Sequence, residues 1–143
     1  MHTSTQLVAE LIDAMNAGHL DKIRDLVTDD FVDHGSPVPL PPGPDGYIAI
    51  LTFVTTVLQI RYEVHDVIAD GDMVAIRATA HGVNASSPQG IEPTGRSFAM
   101  KTAHFFRSRD GRLCEHWGVR DELDVLYQVG ALTPPAMVMP TPD

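Results

Sequence analysis

The spacing of apolar residues changes near residue 60, and that change restricts the fold more than any single motif. Before it, apolar side chains recur every three to four positions, as on one face of a helix. After it they alternate, as on one face of a strand. A chain whose helices come first and whose strands follow in hairpin order must lay one layer on the other, an α+β arrangement.

The helical half reads in three pieces. Gln6 to Met15 carries Leu7, Val8, Leu11, Ile12 and Met15 at helical spacing and stops at Asn16-Ala17-Gly18. Leu20 to Val27 repeats the pattern in shorter form, and Thr28-Asp29-Asp30 ends it; Phe31 to Gly35 then reads as a short extended piece. Five prolines between Ser36 and Pro44 make that stretch a loop. Gly43-Pro44-Asp45-Gly46 opens the third helix, Tyr47 to Leu58.

Strands are expected over Arg61–Ala69, Met73–Val83, Gly95–Ser108 and Leu113–Val119. Asp70-Gly71-Asp72 and Arg109-Asp110-Gly111-Arg112 are hairpin turns, and Asn84–Thr94 is a polar connection. Asp121–Val129 reads as a last helix, and there is no internal repeat. The chain therefore reads as one domain, 1–132, followed by a Pro-rich tail, 133–143.

At 143 residues, folding removes roughly two-thirds of the extended chain's surface from water, enough for one core. A sheet bent over helices also leaves an apolar concavity, the natural place for a ligand. Nineteen acidic against ten basic residues give a net charge of −9, which repels nucleic acid and anionic membranes. No run approaches the roughly 18 apolar residues of a membrane span, and Met1 to Glu10 lacks the order of a signal peptide, so a cytoplasmic protein is expected. The single cysteine, Cys114, excludes an internal disulfide; it is either a reactive thiol or a small buried hydrophobe.

Phosphate loops, paired-cysteine zinc spacings and nucleophile elbows are all missing. Seven histidines, at 2, 19, 34, 65, 81, 104 and 116, lie without a close helical pair, so no metal is expected. The last strand is more informative. Alternation puts Leu113, Glu115, Trp117, Val119 and Asp121 on one face and Cys114, His116, Gly118 and Arg120 on the other. Asp121 is either the N-cap of the following helix or, beside an indole in a dry pocket, an acid/base group of raised proton affinity. On the preceding strand Met100, Thr102, His104 and Phe106 share a side. If that side meets the Trp117 face, His104 comes within reach of Asp121, to orient a carbonyl, carry a proton, or serve as a core histidine. His34 stands at the edge of the Pro-rich loop, lining the pocket mouth or holding the turn, and Glu115 is placed to pair with Lys101 or Arg107.

Several runs are distinctive together: Asn16-Ala17-Gly18-His19-Leu20-Asp21, Phe31-Val32-Asp33-His34-Gly35, Gly43-Pro44-Asp45-Gly46-Tyr47 and Val67 to Arg77. Pro93-Thr94-Gly95-Arg96, Phe105-Phe106-Arg107, Asp110-Gly111-Arg112 and Glu115 to Asp121 complete the set. In these runs, and on to Leu132, the chain resembles the SnoaL-like polyketide cyclases of the nuclear transport factor 2-like superfamily. The resemblance implies a cone-shaped α+β barrel of curved antiparallel sheet around a central pocket. It also implies cofactor-free aldol closure of an aromatic polyketide in antibiotic biosynthesis, chemistry of lyase or isomerase type, and association as a homodimer or homotetramer through the outer sheet face. Asp121 matches the family's acid/base residue and His104 its strand histidine; Thr102 departs from the amide expected there. His34, Thr102, Trp117, Tyr47, Phe53, Met100 and Phe106 are then the substrate-binding set. Two other uses of the fold stay open: a non-catalytic small-molecule-binding or dimerisation module, and an epoxide hydrolase or isomerase. The hydrolase needs an arginine and two carboxylates around one water, whereas Arg120 and Asp121 face opposite ways on an ideal strand.

Overall fold

The computed structural model describes residues 3–85, 90 and 92–142. His2 and part of the Asn84–Thr94 connection lie outside the described residues. Helix α1, Ser4–Ala17, starts at a capping box in which Thr3 and Gln6 satisfy each other's backbone N–H groups. It ends at Gly18, whose φ of +76° lets the chain turn back and donate to the carbonyls of Ala14 and Met15. Its buried residues include Leu7, Val8, Leu11, Ile12 and Met15, the helical stripe expected. A 3₁₀ turn, Leu20–Lys22, leads into one helical turn, α2, Ile23–Leu26, and the Pro-rich loop feeds α3, Pro44–Thr56, with Pro44 at its first turn.

The sheet comprises β1 (Val27–Asp33), β2 (Arg61–Asp70), β3 (Met73–Val83), β4 (Ser97–Arg109) and β5 (Arg112–Arg120), in spatial order β1-β5-β4-β3-β2. Helix α4, Glu122–Gln128, follows. The fold is α+β, with an open sheet whose edges are β1 and β2. The β4–β5 hairpin turns at Asp110-Gly111, with φ of +52° and +78°, the two positive values of a type I′ turn. Cys114 is a buried strand residue.

One expectation is corrected at β1. Thr28-Asp29-Asp30 does not end a helix but lies within a seven-residue strand that pairs parallel with β5, aligning Val32 with Glu115 and Asp33 with His116. The partner strand is some eighty positions away in sequence, so long-range pairing overrides a turn-like local composition. This fifth strand carries Asp33 to the wall of the core.

The principal core joins α1, α2 and α3 to the inner faces of β1, β3, β4 and β5. A smaller cluster of Ile60, Ala80, Phe98, Met100, Val125 and Val129 closes the other end beneath α4. Asn16, at the end of α1, donates from Nδ2 to the Tyr62 carbonyl (2.9 Å) and accepts from the Tyr62 N–H at Oδ1 (2.8 Å), fastening edge strand β2 to the helical layer. Among the described residues no helix is long and apolar enough to cross a membrane.

Candidate active site

Between the helices and the sheet lies a cavity of about 370 Å³, lined largely by apolar side chains of α1, α3, α4 and the strands. Of the residues picked out from the sequence, Tyr47, Phe53, Met100, His104 and Phe106 line it. The inward row of β4, Met100-Thr102-His104-Phe106, is buried as expected. Thr102 shares that row but donates its hydroxyl to the Ala78 carbonyl (2.9 Å), so it braces β3 and does not line the cavity.

Leu113 is in the core as expected, but beyond the bulge at Cys114 the facing of β5 is the reverse of the expectation. Phe106 pairs with His116, His104 with Gly118 and Thr102 with Arg120, and residues directly opposite share a face. His116, Gly118 and Arg120 therefore turn toward the cavity, while Trp117 sits opposite Phe105 on the outer face. A strand has only two faces, so shifting the assumed register by one exchanges them completely. Trp117 is half-buried outside the cavity, stacked on the His34 imidazole at 5.0 Å, with the Arg107 guanidinium 5.7 Å from its ring centre. His34 is exposed and bonds Glu115 Oε2 through Nε2 (2.9 Å); it braces the outside and does not line this cavity. Glu115 also lies 3.7 Å from Arg107, one of its two expected partners.

Asp121 is likewise corrected. It is exposed, absent from the cavity wall, and serves as the N-cap of α4, accepting from the Asp124 N–H (3.2 Å). The reversal of β5 moves it away with the Trp117 row.

Two carboxylates line the cavity, Glu122 at the start of α4 and Asp33 from the end of β1, and Asp33 is the one that meets the histidines. Its Oδ1 lies 2.6 Å from His116 Nδ1 and accepts the Gly35 N–H at 2.9 Å. His116 Nε2 lies 2.9 Å from His104 Nδ1, and the two rings are within 20° of coplanar. Asp33 and His116 side chains are each 7% exposed. The remaining nitrogen, His104 Nε2, is buried and has no hydrogen-bond partner. Three polar side chains thus stand in line, ending at a bare ring nitrogen of a cavity-lining residue.

The line is enclosed by aromatic rings. Tyr62 meets His104 edge-on at 5.3 Å, Phe106 lies 4.8 Å from His116, and Tyr47 lies 6.2 Å from His116. Burial pushes the Tyr62 phenol up to about 12, with Arg120 partly opposing, and raises Tyr47 too, helped by Asp33 and Tyr62. Both stay protonated donors near neutrality. Burial, and then the charges of His116 and Arg120, lower His104 to about 3, so this ring is held neutral. Arg120 also lines the cavity, donating from Nη2 to the Gly35 carbonyl (2.5 Å) with Glu122 3.6 Å from its Nε. Gly35 has to be glycine for this packing: a Cβ there would lie 2.9 Å from the Gly118 nitrogen and 3.0 Å from His116 Cε1.

Asp33, His116, Arg120 and Tyr62 were not among the residues chosen from the sequence. Alternation carried the signal for Asp33, since it places that carboxylate on the same side as Phe31, whose burial is predictable. For His116, the small neighbour Gly118 marks a row that faces a crowded interior. Among the described residues no group of three or more His, Cys, Asp or Glu side chains is arranged to hold a metal ion.

Comparisons with known proteins agree with this architecture. The profile of the SnoaL-like polyketide cyclase family matches residues 5–129. Aklanonic acid methyl ester cyclase DnrD of Streptomyces peucetius is 24% identical over 139 residues, covering 91% of this chain and 92% of DnrD. Its counterpart DauD, from Streptomyces sp. strain C5, is also 24% identical over 91% of this chain and 83% of its own length. Among solved structures, IdmH from Streptomyces antibioticus superposes with a TM-score of 0.75 at 33% identity, covering 90% of this chain and 99% of IdmH. TsrD from Streptomyces laurentii gives 0.75 at 26% identity, covering 90% and 95%.

Proposed function

This chain belongs to the SnoaL-like polyketide cyclase family, and from that premise we propose that it closes a ring of an aromatic polyketide by a cofactor-free intramolecular aldol reaction. The observation that carries the reading is the partnerless Nε2 of His104, a residue of the wall of an apolar cavity. A cavity of about 370 Å³ suits a flat polycyclic ligand. Relatives named for cyclising aklanonic acid methyl ester support a substrate of that broad class.

A carbon flanked by two carbonyls is acidic because its carbanion delocalises into both oxygens. Such chemistry requires no metal, Schiff base or flavin. His104 Nε2 removes the proton, the enolate carbon attacks a second carbonyl held against it, and the new alkoxide takes a proton back. The phenols of Tyr47 and Tyr62 and the Arg120 guanidinium are the donors near the developing oxyanions. The acid/base role falls to His104 because Asp121 stands outside the cavity.

The test is ring closure of aklanonic acid methyl ester by His104→Gln and Asp121→Asn. General acid/base catalysis contributes roughly 10²- to 10⁴-fold. His104→Gln loses turnover on that scale while still binding the ester, and Asp121→Asn, which keeps a capping side chain, turns over at close to the wild-type rate. Wild-type turnover by His104→Gln defeats the assignment. Tight binding of polycyclic ketones without turnover by the wild type makes the protein a binding module instead.

A further inference from the structure

We propose that Asp33, His116 and His104 form a directional proton relay, in which a proton accepted at His104 Nε2 is accommodated as positive charge on His116 beside Asp33. This deepens the ring-closing reading and rests on it.

With Asp33 ionised and His116 neutral, the hydrogen bonds assign every proton in the line. Asp33 Oδ1 already accepts the Gly35 N–H, and as a carboxylate it accepts His116 Nδ1–H as well. A neutral His116 protonated at Nδ1 presents a lone pair at Nε2. Only a donor can sit 2.9 Å away, so His104 carries its hydrogen on Nδ1. Its Nε2 is therefore a lone pair, and that is the atom without a partner. The opposite tautomer would set two lone pairs against each other and bury an N–H with no acceptor; each such loss costs about 1–3 kcal/mol. One carboxylate thus fixes the outer nitrogen two side chains away as a base.

The line also removes the obstacle to that base. A cationic His104 is disfavoured by burial, by Arg120 and by any charge on His116. In the relay it never forms. The substrate C–H bond breaks and leaves its electron pair on the enolate; the proton goes to His104 Nε2, and the His104 Nδ1 proton passes to His116 Nε2. His116 becomes an imidazolium still bonded to Asp33, and His104 ends neutral with its hydrogen on Nε2. It is then a donor where it had been an acceptor. When the alkoxide takes that hydrogen, the transfers reverse and the starting state returns, with no proton gained or lost.

The groups facing the line are Asp33 from β1, Tyr47 from α3, Tyr62 from β2 and Arg120 from β5, with Glu122 of α4 beyond Arg120. Both phenols keep their protons near neutrality, so Asp33 is the carboxylate in direct contact with His116.

The experiment is a titration of the ¹⁵N-histidine-labelled full chain, without substrate, following the ring nitrogens of His104 and His116 by NMR from about pH 8.5 to about pH 4.5. The relay gives Nδ1–H on both rings at the alkaline end. On acidification His116 becomes doubly protonated while His104 exchanges Nδ1–H for Nε2–H. Double protonation of His104, an unchanged His104 tautomer as His116 charges, or no change in either ring overturns the proposal. The kinetic counterpart is His116→Asn with aklanonic acid methyl ester, for which kcat falls about 100-fold at unchanged KM. An unchanged kcat overturns the relay. If the tautomers exchange but the wild type closes no ring, the relay stands and the ring-closing reading fails.

Discussion

At the scale of single residues, the site depends on a histidine kept neutral and on a glycine with no room for a side chain. His104 takes up a proton near pH 3 in the folded chain but near 6.5 when unfolded. Between those values the unfolded state binds the extra proton, so this residue's contribution makes stability fall as pH drops below about 6.5, by roughly 1 kcal/mol per unit. Urea midpoints at about pH 5 and about pH 7 should therefore converge in His104→Gln relative to the wild type. The second prediction concerns Gly35. Its missing Cβ faces backbone at Gly118 as well as the His116 ring, so Gly35→Ala should destabilise by about 1–3 kcal/mol in chemical denaturation and disturb the Asp33–His116 bond. His104 was legible from the sequence because its row on β4 is regular. Asp33 was legible only through its alternation with Phe31, a weak signal, because an acidic residue before a Pro-rich loop resembles an ordinary turn until the strand beside it is known.

At the scale of elements, hydrophobic period located the secondary structure well and its facing less well. Strand β3 runs over Met73–Val83 as the alternation predicts, and α3 starts at the Gly-Pro pair that announces it. The face of β5 was misjudged because Trp117 and Val119 look like inward residues. In the structure Val119 is 67% exposed, and beyond the bulge at Cys114 the inward row is built from His, Gly and Arg. Composition alone cannot decide which of two alternating rows is buried when both contain apolar residues; the pairing register decides. Strand β2 offers a test of how an edge is held. Its hydrogen bonds to Asn16 are the side-chain link between α1 and that strand, so Asn16→Ala should cost about 2 kcal/mol and speed hydrogen exchange at the Tyr62 amide.

At the scale of the whole molecule, the sheet presents an outer face as distinctive as its inner one. Cross-strand pairing sets Ile68, Ala75, Phe105 and Trp117 in one row across β2 to β5, and Ile68, Phe105 and Val119 are exposed. The family resemblance leads us to expect association through this face. Light scattering should then give a dimer or tetramer mass, and Val119→Lys with Ile68→Lys should give a monomer with unchanged circular dichroism; a monomeric wild type removes the expectation. The parallel ribbon β1 has a different consequence. Asp33 and His116 are separated by 83 positions in sequence and meet only when the outermost ribbon docks against the final one. Edges fray before centres, and contacts between distant segments demand the largest loop closures. A polypeptide in which the outermost ribbon has not docked lacks the Asp33–His116 contact on which the proposed relay rests. On warming, the circuit should break before the body melts, making catalytic competence the most sensitive gauge of the molecule's integrity.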